Sequence, residues 1–178
     1  MKPLPFVKAL EKLEDASWLD PVVKLEQDAA RTVLQPKELR EILQGVPQGH
    51  PLHPTLVQVP LGAWISAGVL DMVPGTERAA KLLVGVGVLA AVPAALAGLA
   101  DYADLRERQA RVALVHAAAN GTALVLYSAS FLARGKGRQG LGKCLALSGF
   151  GAAAFGGFLG GHLTYRQGAG VDRPEFRR

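Results

Sequence analysis

Four long apolar stretches alternate with short charged clusters over the last two-thirds of the chain, at residues 55–73, 82–100, 112–133 and 144–165. Of the aspartate, glutamate, lysine and arginine residues, Asp71 alone lies inside them. A helix needs roughly 20 apolar residues to cross about 30 Å of hydrocarbon, and each stretch is close to that length. The pattern predicts an all-α integral membrane protein, and the short connections favour a four-helix bundle with up-down-up-down topology.

The N-terminal segment shows a different pattern, in which apolar positions such as Leu10, Leu13 and Leu19 recur at helical spacing among many charges. Asp20 followed by a proline is typical of a helix start. These amphipathic helices carry too much charge to cross a bilayer, so we expect them to lie on its surface or to cap the bundle. The predicted domains are an amphipathic segment (1–48), a transmembrane domain (49–168) and a C-terminal tail (169–178).

The charge of the chain is basic, with a formal net charge of +5 and a pI of about 9.6. The basic residues flank the apolar stretches, where anionic lipid head groups account for them. No set of base-stacking aromatic residues accompanies them, so we expect no nucleic-acid partner. The single cysteine, Cys144, can form neither an internal disulfide nor a multi-cysteine metal site.

The first apolar residues are interrupted by charges, so the sequence shows no signal peptide. An internal hydrophobic segment is then expected to direct insertion. Basic residues are nearly balanced between the two predicted membrane faces, so the positive-inside rule says little about the orientation of the protein in the membrane. The lack of a signal peptide favours an N-terminal segment that stays inside the cell. We therefore expect a multi-pass protein of the cell membrane with both termini in the cytoplasm.

The predicted topology places all four histidines on one membrane face. His50 and His53 precede the first span, His116 lies near the start of the third, and His162 lies near the end of the fourth. Asp101 follows the second span directly and belongs to the same face. Polar groups inside the hydrocarbon edge are costly, and they usually have a partner or a function.

Two interpretations of the histidine face stay open. In the first, His116 and His162 ligate haem iron or a metal ion, because imidazole is a common ligand of both. His53, His50 and Asp101 would then be further metal ligands or neighbours of the ligands, and Arg111 and Arg166 would pair with haem propionates. Glycines near His162 would give a haem the room that ordinary helix spacing denies it. In the second, the histidines only form hydrogen bonds between helices.

Several short motifs resemble those of a bacterial family of predicted four-span membrane proteins of unknown function. The motifs are GHPLHP at 49–54, PLGAW at 60–64, GLADY at 98–102, GGHLTY at 160–165, and His116 with Asn120. Some members of that family are fused to a Rieske-type [2Fe-2S] ferredoxin domain. The resemblance implies electron transfer. The expected iron–sulfur or respiratory-chain partner of this chain is a separate protein.

The leading hypothesis is a membrane-bound electron-transfer protein that binds haem b, or alternatively a transition-metal ion, through the clustered histidines. The alternative is a structural or accessory subunit of a larger complex. The expected partners are the lipid bilayer and further copies of the chain or a larger complex. No P-loop, dinucleotide fingerprint, GxSxG or HExxH motif is present, so we do not expect an autonomous enzyme.

Overall fold

The structure, a computed structural model, describes residues 5–176 apart from the side chains of Pro5 and Phe6. Residues 1–4 and 177–178, the outer ends of the predicted N-terminal segment and tail, lie outside the described residues. The regular elements of the described chain are all helical, which confirms the all-α prediction. The helices are α1 (Pro5–Glu14), α2 (Asp20–Val33), α3 (Lys37–Gln44), α4 (Leu52–Leu56), α5 (Gln58–Leu70), α6 (Glu77–Tyr102), α7 (Glu107–Gly135) and α8 (Gln139–Gly161).

Three helices of the described chain are long and apolar enough to cross a membrane. They are Glu77–Tyr102, Glu107–Gly135 and Gln139–Arg166, the last including a π turn over His162–Arg166. Large apolar side chains on their outer surfaces are exposed, among them Leu89 (74%) and Leu147 (73%). An apolar exterior of this kind suits contact with lipid and is unusual for a soluble protein.

The first predicted span differs from the expectation, because it is divided into α4 and α5 at Val57. Pro60 has no N–H to give to the carbonyl of Leu56, and its ring crowds that carbonyl. The 13 residues of α5 extend only about 20 Å at 1.5 Å per residue. That length explains why α5 by itself falls short of a membrane-crossing helix.

The long helices pack side by side in antiparallel pairs. α5 lies along α6 and α7 lies along α8, while α6 also contacts α7 and α5 contacts α8. From His53 to Trp64 the residue numbers rise, and the glycines facing these side chains fall from Gly98 to Gly87. The first pair is therefore antiparallel, and the same relation holds between α7 and α8.

The N-terminal helices cover one end of this packing. The last carbonyls of a helix lack donors within the helix, and side chains of α2 and α3 supply donors at the end of α6. These hydrogen bonds run from Gln44 to Ala100 (2.8 Å), from Gln27 to Tyr102 and Leu105 (3.1 and 3.0 Å), and from Arg31 to Ala103 (3.0 Å). Leu10, Leu19 and Val23 add apolar contacts with residues of α7 and α8.

Candidate histidine site

His53 lies on α4 and is held against α6. Its Nδ1–H donates to the carbonyl of Ala94 at 2.8 Å, since a carbonyl oxygen only accepts. The ring lies over Gly98, where a Cβ atom would come within 3.0 Å of the imidazole. The glycine therefore makes the space that this ring occupies.

His116 on α7 is held against α8 in the same way. Its Nδ1–H donates to the carbonyl of Gly156 at 2.8 Å, and its ring covers Gly160, where a Cβ would lie 2.9 Å from Cε1. Asn120, one turn along α7, places its Nδ2 atom 3.2 Å from the His116 Nε2 atom. The same Nδ2 atom lies 3.4 Å from Nδ1 and donates to the His116 backbone carbonyl at 2.9 Å, so Asn120 lies beside the ring and does not distinguish its two nitrogens.

The two imidazoles are neighbours across the interface between the helix pairs. The ring centroids of His53 and His116 are 6.1 Å apart, and the ring planes are nearly perpendicular at 82°. Because each Nδ1 carries the proton, each neutral ring has its lone pair on Nε2. Metal-binding histidines commonly hold their second nitrogen on a backbone carbonyl in this manner.

His162 has a different partner, in the N-terminal segment. Its Nε2–H donates to the Glu14 carboxylate at 2.7 Å, and both side chains are almost fully buried. The other oxygen of Glu14 lies 3.2 Å from the guanidinium of Arg108. His116 and His162, predicted as a ligand pair, thus contact different groups, and His162 helps to fix α1 against α8.

The two arginines predicted to bind propionates both have carboxylate partners within the chain. Arg111 is buried and makes two hydrogen bonds to the Asp20 carboxylate at 2.6 and 2.8 Å, with a third to the Glu14 carbonyl. Arg166 makes one exposed contact with Glu11 at 3.2 Å. The Arg111 guanidinium lowers the pKa of the Asp20 carboxyl below its ordinary value. Arg111 therefore serves to attach α2 to α7.

The remaining predicted ligands lie apart from the imidazole pair. Asp101 accepts a hydrogen bond from Arg173 at 3.1 Å, so it ties the C-terminal tail to the end of α6 rather than orienting a histidine. His50 is exposed, and its Nδ1 lies 3.4 Å from the Pro51 carbonyl. Asp104, at the same end of α6, accepts a hydrogen bond from Gln44 at 2.7 Å.

A metal site of three or more protein ligands does not occur among residues 5–176, whose histidine, cysteine and acidic side chains form no such group. A haem between α7 and α8 does not fit the packing either. The Asn120 amide already covers Gly156, and the His116 ring covers Gly160. The glycines expected to give a haem room are thus filled by side chains of this chain. What the residues offer is the two-imidazole arrangement of His53 and His116.

At the opposite end of the helices lies a polar cluster that the sequence analysis missed. Asp71 accepts two hydrogen bonds from Arg134, and its backbone carbonyl accepts a third from Lys143 at 2.6 Å. Ser130 bonds the same guanidinium at 3.1 Å. An acidic residue at the end of one apolar stretch and a basic residue at the end of another was the available signal.

The comparisons with known proteins are informative at the family level alone. No curated protein and no solved structure matches the chain. A family model with the description "Predicted membrane protein (DUF2231)" matches residues 49–173, which include the imidazole pair and the Asp71 cluster. With most of its length covered by that match, the chain belongs to the DUF2231 family of predicted membrane proteins of unknown function.

Proposed function

We propose that this membrane protein binds a transition-metal ion between His53 and His116, and that a redox-active ion bound there serves electron transfer. One observation carries the proposal. Both rings give their Nδ1–H to a backbone carbonyl, which leaves two Nε2 lone pairs on rings 6.1 Å apart. Two nitrogen–metal bonds of about 2.0–2.1 Å are compatible with ring centroids at that separation. Imidazole suits copper, iron, nickel and zinc.

The bundle environment supports this use of the pair. Each ring is fixed by one hydrogen bond and one glycine contact, so its orientation is set before an ion arrives. Ligands held in this way lose little freedom on binding. The ion would complete its coordination with solvent or small ligands, since the protein supplies two nitrogens. Of the two cofactors expected from the sequence, the packing supports an ion rather than haem b.

The membrane topology is part of the proposal. α4 with α5, then α6, α7 and α8 form four spans in up-down-up-down order, with His53 and His116 near one face. Three of these helices have the length and composition of a span. We place both termini in the cytoplasm of the cell. Labelling of single cysteines introduced at Ser17 and Lys136, in a Cys144→Ala background, with a membrane-impermeant maleimide tests the orientation.

The metal content of the purified protein tests the function. The detergent-solubilised protein is loaded in turn with Cu(II), Zn(II), Ni(II) and Fe(II), desalted, and assayed by elemental analysis. We expect one equivalent of one of these ions in the wild type and a loss of at least tenfold in affinity for His53→Ala and for His116→Ala. His50→Ala and His162→Ala are matched controls that keep the metal. Equal metal in all five proteins would contradict the proposal, and a Soret band dependent on the pair would restore haem.

A second function, a structural or accessory subunit, is favoured by a separate observation. His53, His116 and His162 all have a hydrogen-bond partner within the protein. In that case the imidazoles only join helices. Wild-type protein that binds none of the four ions, while His53→Ala and His116→Ala lower its unfolding temperature, would support this second function.

A further inference from the structure

Three side-chain pairs join the α4–α5 segment to α7 in the same order along both. His53 meets His116 with ring centroids 6.1 Å apart, Trp64 stacks on Tyr127 at 4.1 Å and 8°, and Asp71 bonds Arg134. The two segments therefore run parallel. In every pair the partners are 63 positions apart in the chain. A single offset of 63 residues therefore relates each side chain of the α4–α5 segment to the side chain that it contacts on α7.

The same regularity governs how each ring sits on its neighbouring helix. His53 bonds the carbonyl of Ala94 and covers Gly98, and His116 bonds the carbonyl of Gly156 and covers Gly160. Each contact on α8 lies 62 positions after its counterpart on α6.

The second of the three pairs, Trp64 with Tyr127, shows the same offset in its glycine contacts. Trp64 lies against Gly87, and Tyr127 lies against Gly149, where a Cβ would come within 3.0 Å of the phenol ring. These two glycines are also 62 positions apart. Two different aromatic side chains thus occupy equivalent places, each on a glycine of the adjacent antiparallel helix.

The sequence carries the repeat once the offset is known. Residues 81–98 and 143–160 have identical residues at six aligned positions: Lys81 and Lys143, Leu83 and Leu145, Gly87 and Gly149, Ala90 and Ala152, Ala91 and Ala153, and Gly98 and Gly160. Alanine and leucine are common in apolar helices, so their matches weigh little. The two matched glycine pairs weigh more, because they are the glycines that the paired rings contact.

We infer that residues 52–102 and 107–166 are two copies of one helical hairpin, related by a pseudo-two-fold axis that runs along the helices. In a two-fold arrangement a position meets its own equivalent at the axis, which is what the three pairs show. Parallel repeats in membrane proteins have such an axis along the membrane normal. The metal site lies on this axis, and each copy supplies one equivalent imidazole; this last step rests on the proposed function.

The two copies differ at positions where their side chains make different contacts. The third pair, Asp71 with Arg134, has opposite charges, since two aspartates or two arginines at the axis would repel each other. Arg134 also has Ser130 and the bare Gly142 beside it, where the first copy has alanines at the equivalent positions. His162 corresponds to Ala100. The contact with Glu14 therefore belongs to one copy and lies outside the symmetric core.

Exchange of equivalent residues tests the repeat. The variant Trp64→Tyr/Tyr127→Trp keeps composition and stacking and moves each ring to the equivalent glycine. We expect it to unfold within about 3 °C of the wild type, a shift that corresponds to roughly 1 kcal/mol in a chain of this size. The matched control, Trp64→Phe/Phe131→Trp, moves the indole to a position whose equivalent is Gly68. There Phe131 already fills the space over Gly85, so the control should unfold at least 10 °C lower. An exchange variant as unstable as the control overturns the repeat.

Metal binding by the exchange variant separates this inference from the proposed function. A stable exchange variant, together with wild-type protein that binds none of the four ions, leaves the repeat standing and removes the metal site. A bound metal lost equally in His53→Ala and His116→Ala supports the axial site. Metal loss in one of these variants and full retention in the other would overturn the equivalence of the two copies.

Discussion

Arg134 and Asp71 form an ion pair through two parallel hydrogen bonds, Nη1 to Oδ1 at 2.7 Å and Nη2 to Oδ2 at 2.5 Å. The Arg134 side chain is fully buried, and that of Asp71 is 12% exposed. Removal of one partner leaves the other charge buried and unpaired in an apolar interior. For such pairs the loss is about 3–5 kcal/mol.

We therefore expect Asp71→Ala to lower the free energy of unfolding by about 3–5 kcal/mol, measured by thermal or denaturant unfolding in detergent. The double variant Asp71→Ala/Arg134→Met should recover part of the loss because it leaves no buried charge. Glu41→Ala, which breaks the exposed contact with Lys37, is the control and should change stability by less than about 0.5 kcal/mol. Equal losses of unfolding free energy in Asp71→Ala and Glu41→Ala would mean that the buried pair stabilises the fold no more than the exposed one.

The glycine under His116 provides a second prediction. Gly160→Ala places a methyl group 2.9 Å from the imidazole Cε1 atom, and the ring must move off its carbonyl acceptor. We expect a loss of about 1–3 kcal/mol, as for other overpacked sites, measured by thermal unfolding. Gly157→Ala, with open space around its Cβ, should be neutral or stabilising by up to about 1 kcal/mol through helix propensity. The prediction fails if both variants are stabilised alike.

The contact between Glu14 and His162 predicts how firmly the N-terminal helices are held. Glu14→Ala leaves the buried His162 Nε2–H without its acceptor, at a cost of roughly 1–3 kcal/mol. Because the loss falls on the attachment of α1, trypsin should cleave at Lys8 and Lys12, both on α1, several times faster. Glu11→Ala removes only the exposed contact with Arg166 and should leave the cleavage rate unchanged. A common rate for both variants would place the anchor of α1 elsewhere.

The Asp20–Arg111 contact predicts a dependence on pH. Arg111 lowers the pKa of Asp20 from its ordinary 3.8, so the folded state binds a proton there less readily than the unfolded state. The stabilisation is complete above the unfolded pKa and is lost as the pH falls through the lower folded pKa.

Comparison of wild type with Asp20→Asn isolates this contribution from the other carboxylates. The difference in unfolding temperature should be constant from pH 7 to about 5 and should shrink below the ordinary pKa near 3.8. The measurement is thermal unfolding at a series of pH values. A difference that grows toward acid pH would contradict the assigned sign.

The sequence was sufficient to locate the three longest helices and insufficient to predict which side chains pair between helices. Charge-free stretches located α6, α7 and α8, because burial in lipid demands apolar composition along the whole length. The break at Val57 was visible only as a proline in a long apolar run. Many membrane helices keep such prolines and continue as one span, so the sequence did not decide the outcome.

The candidate site shows the same division. The common placement of His53 and His116 followed from topology, whereas the partner of each ring depends on helix rotation. Rotation is set by where glycines allow close approach, and Gly98 and Gly160 did so for these two rings. The acceptor of His162 came from α1, more than 140 residues away in the chain. Periodicity within single helices carries no information about such a contact.

In the proposed four-span topology, the interruption at Val57 also bears on the thickness of the surrounding bilayer. Pro60 leaves the Leu56 carbonyl without its usual donor, and a carbonyl freed in this way takes a hydrogen bond from water, a hydroxyl or a neighbouring helix. If the Leu56 carbonyl lies at the wet edge of the bilayer, the part of this segment left inside the hydrocarbon is α5, about 20 Å long. A 30 Å membrane would have to thin on the side of α5, or the protein would have to tilt toward it. The protein should accordingly prefer thin bilayers, and lipid chain length should alter the depth at which His53 sits.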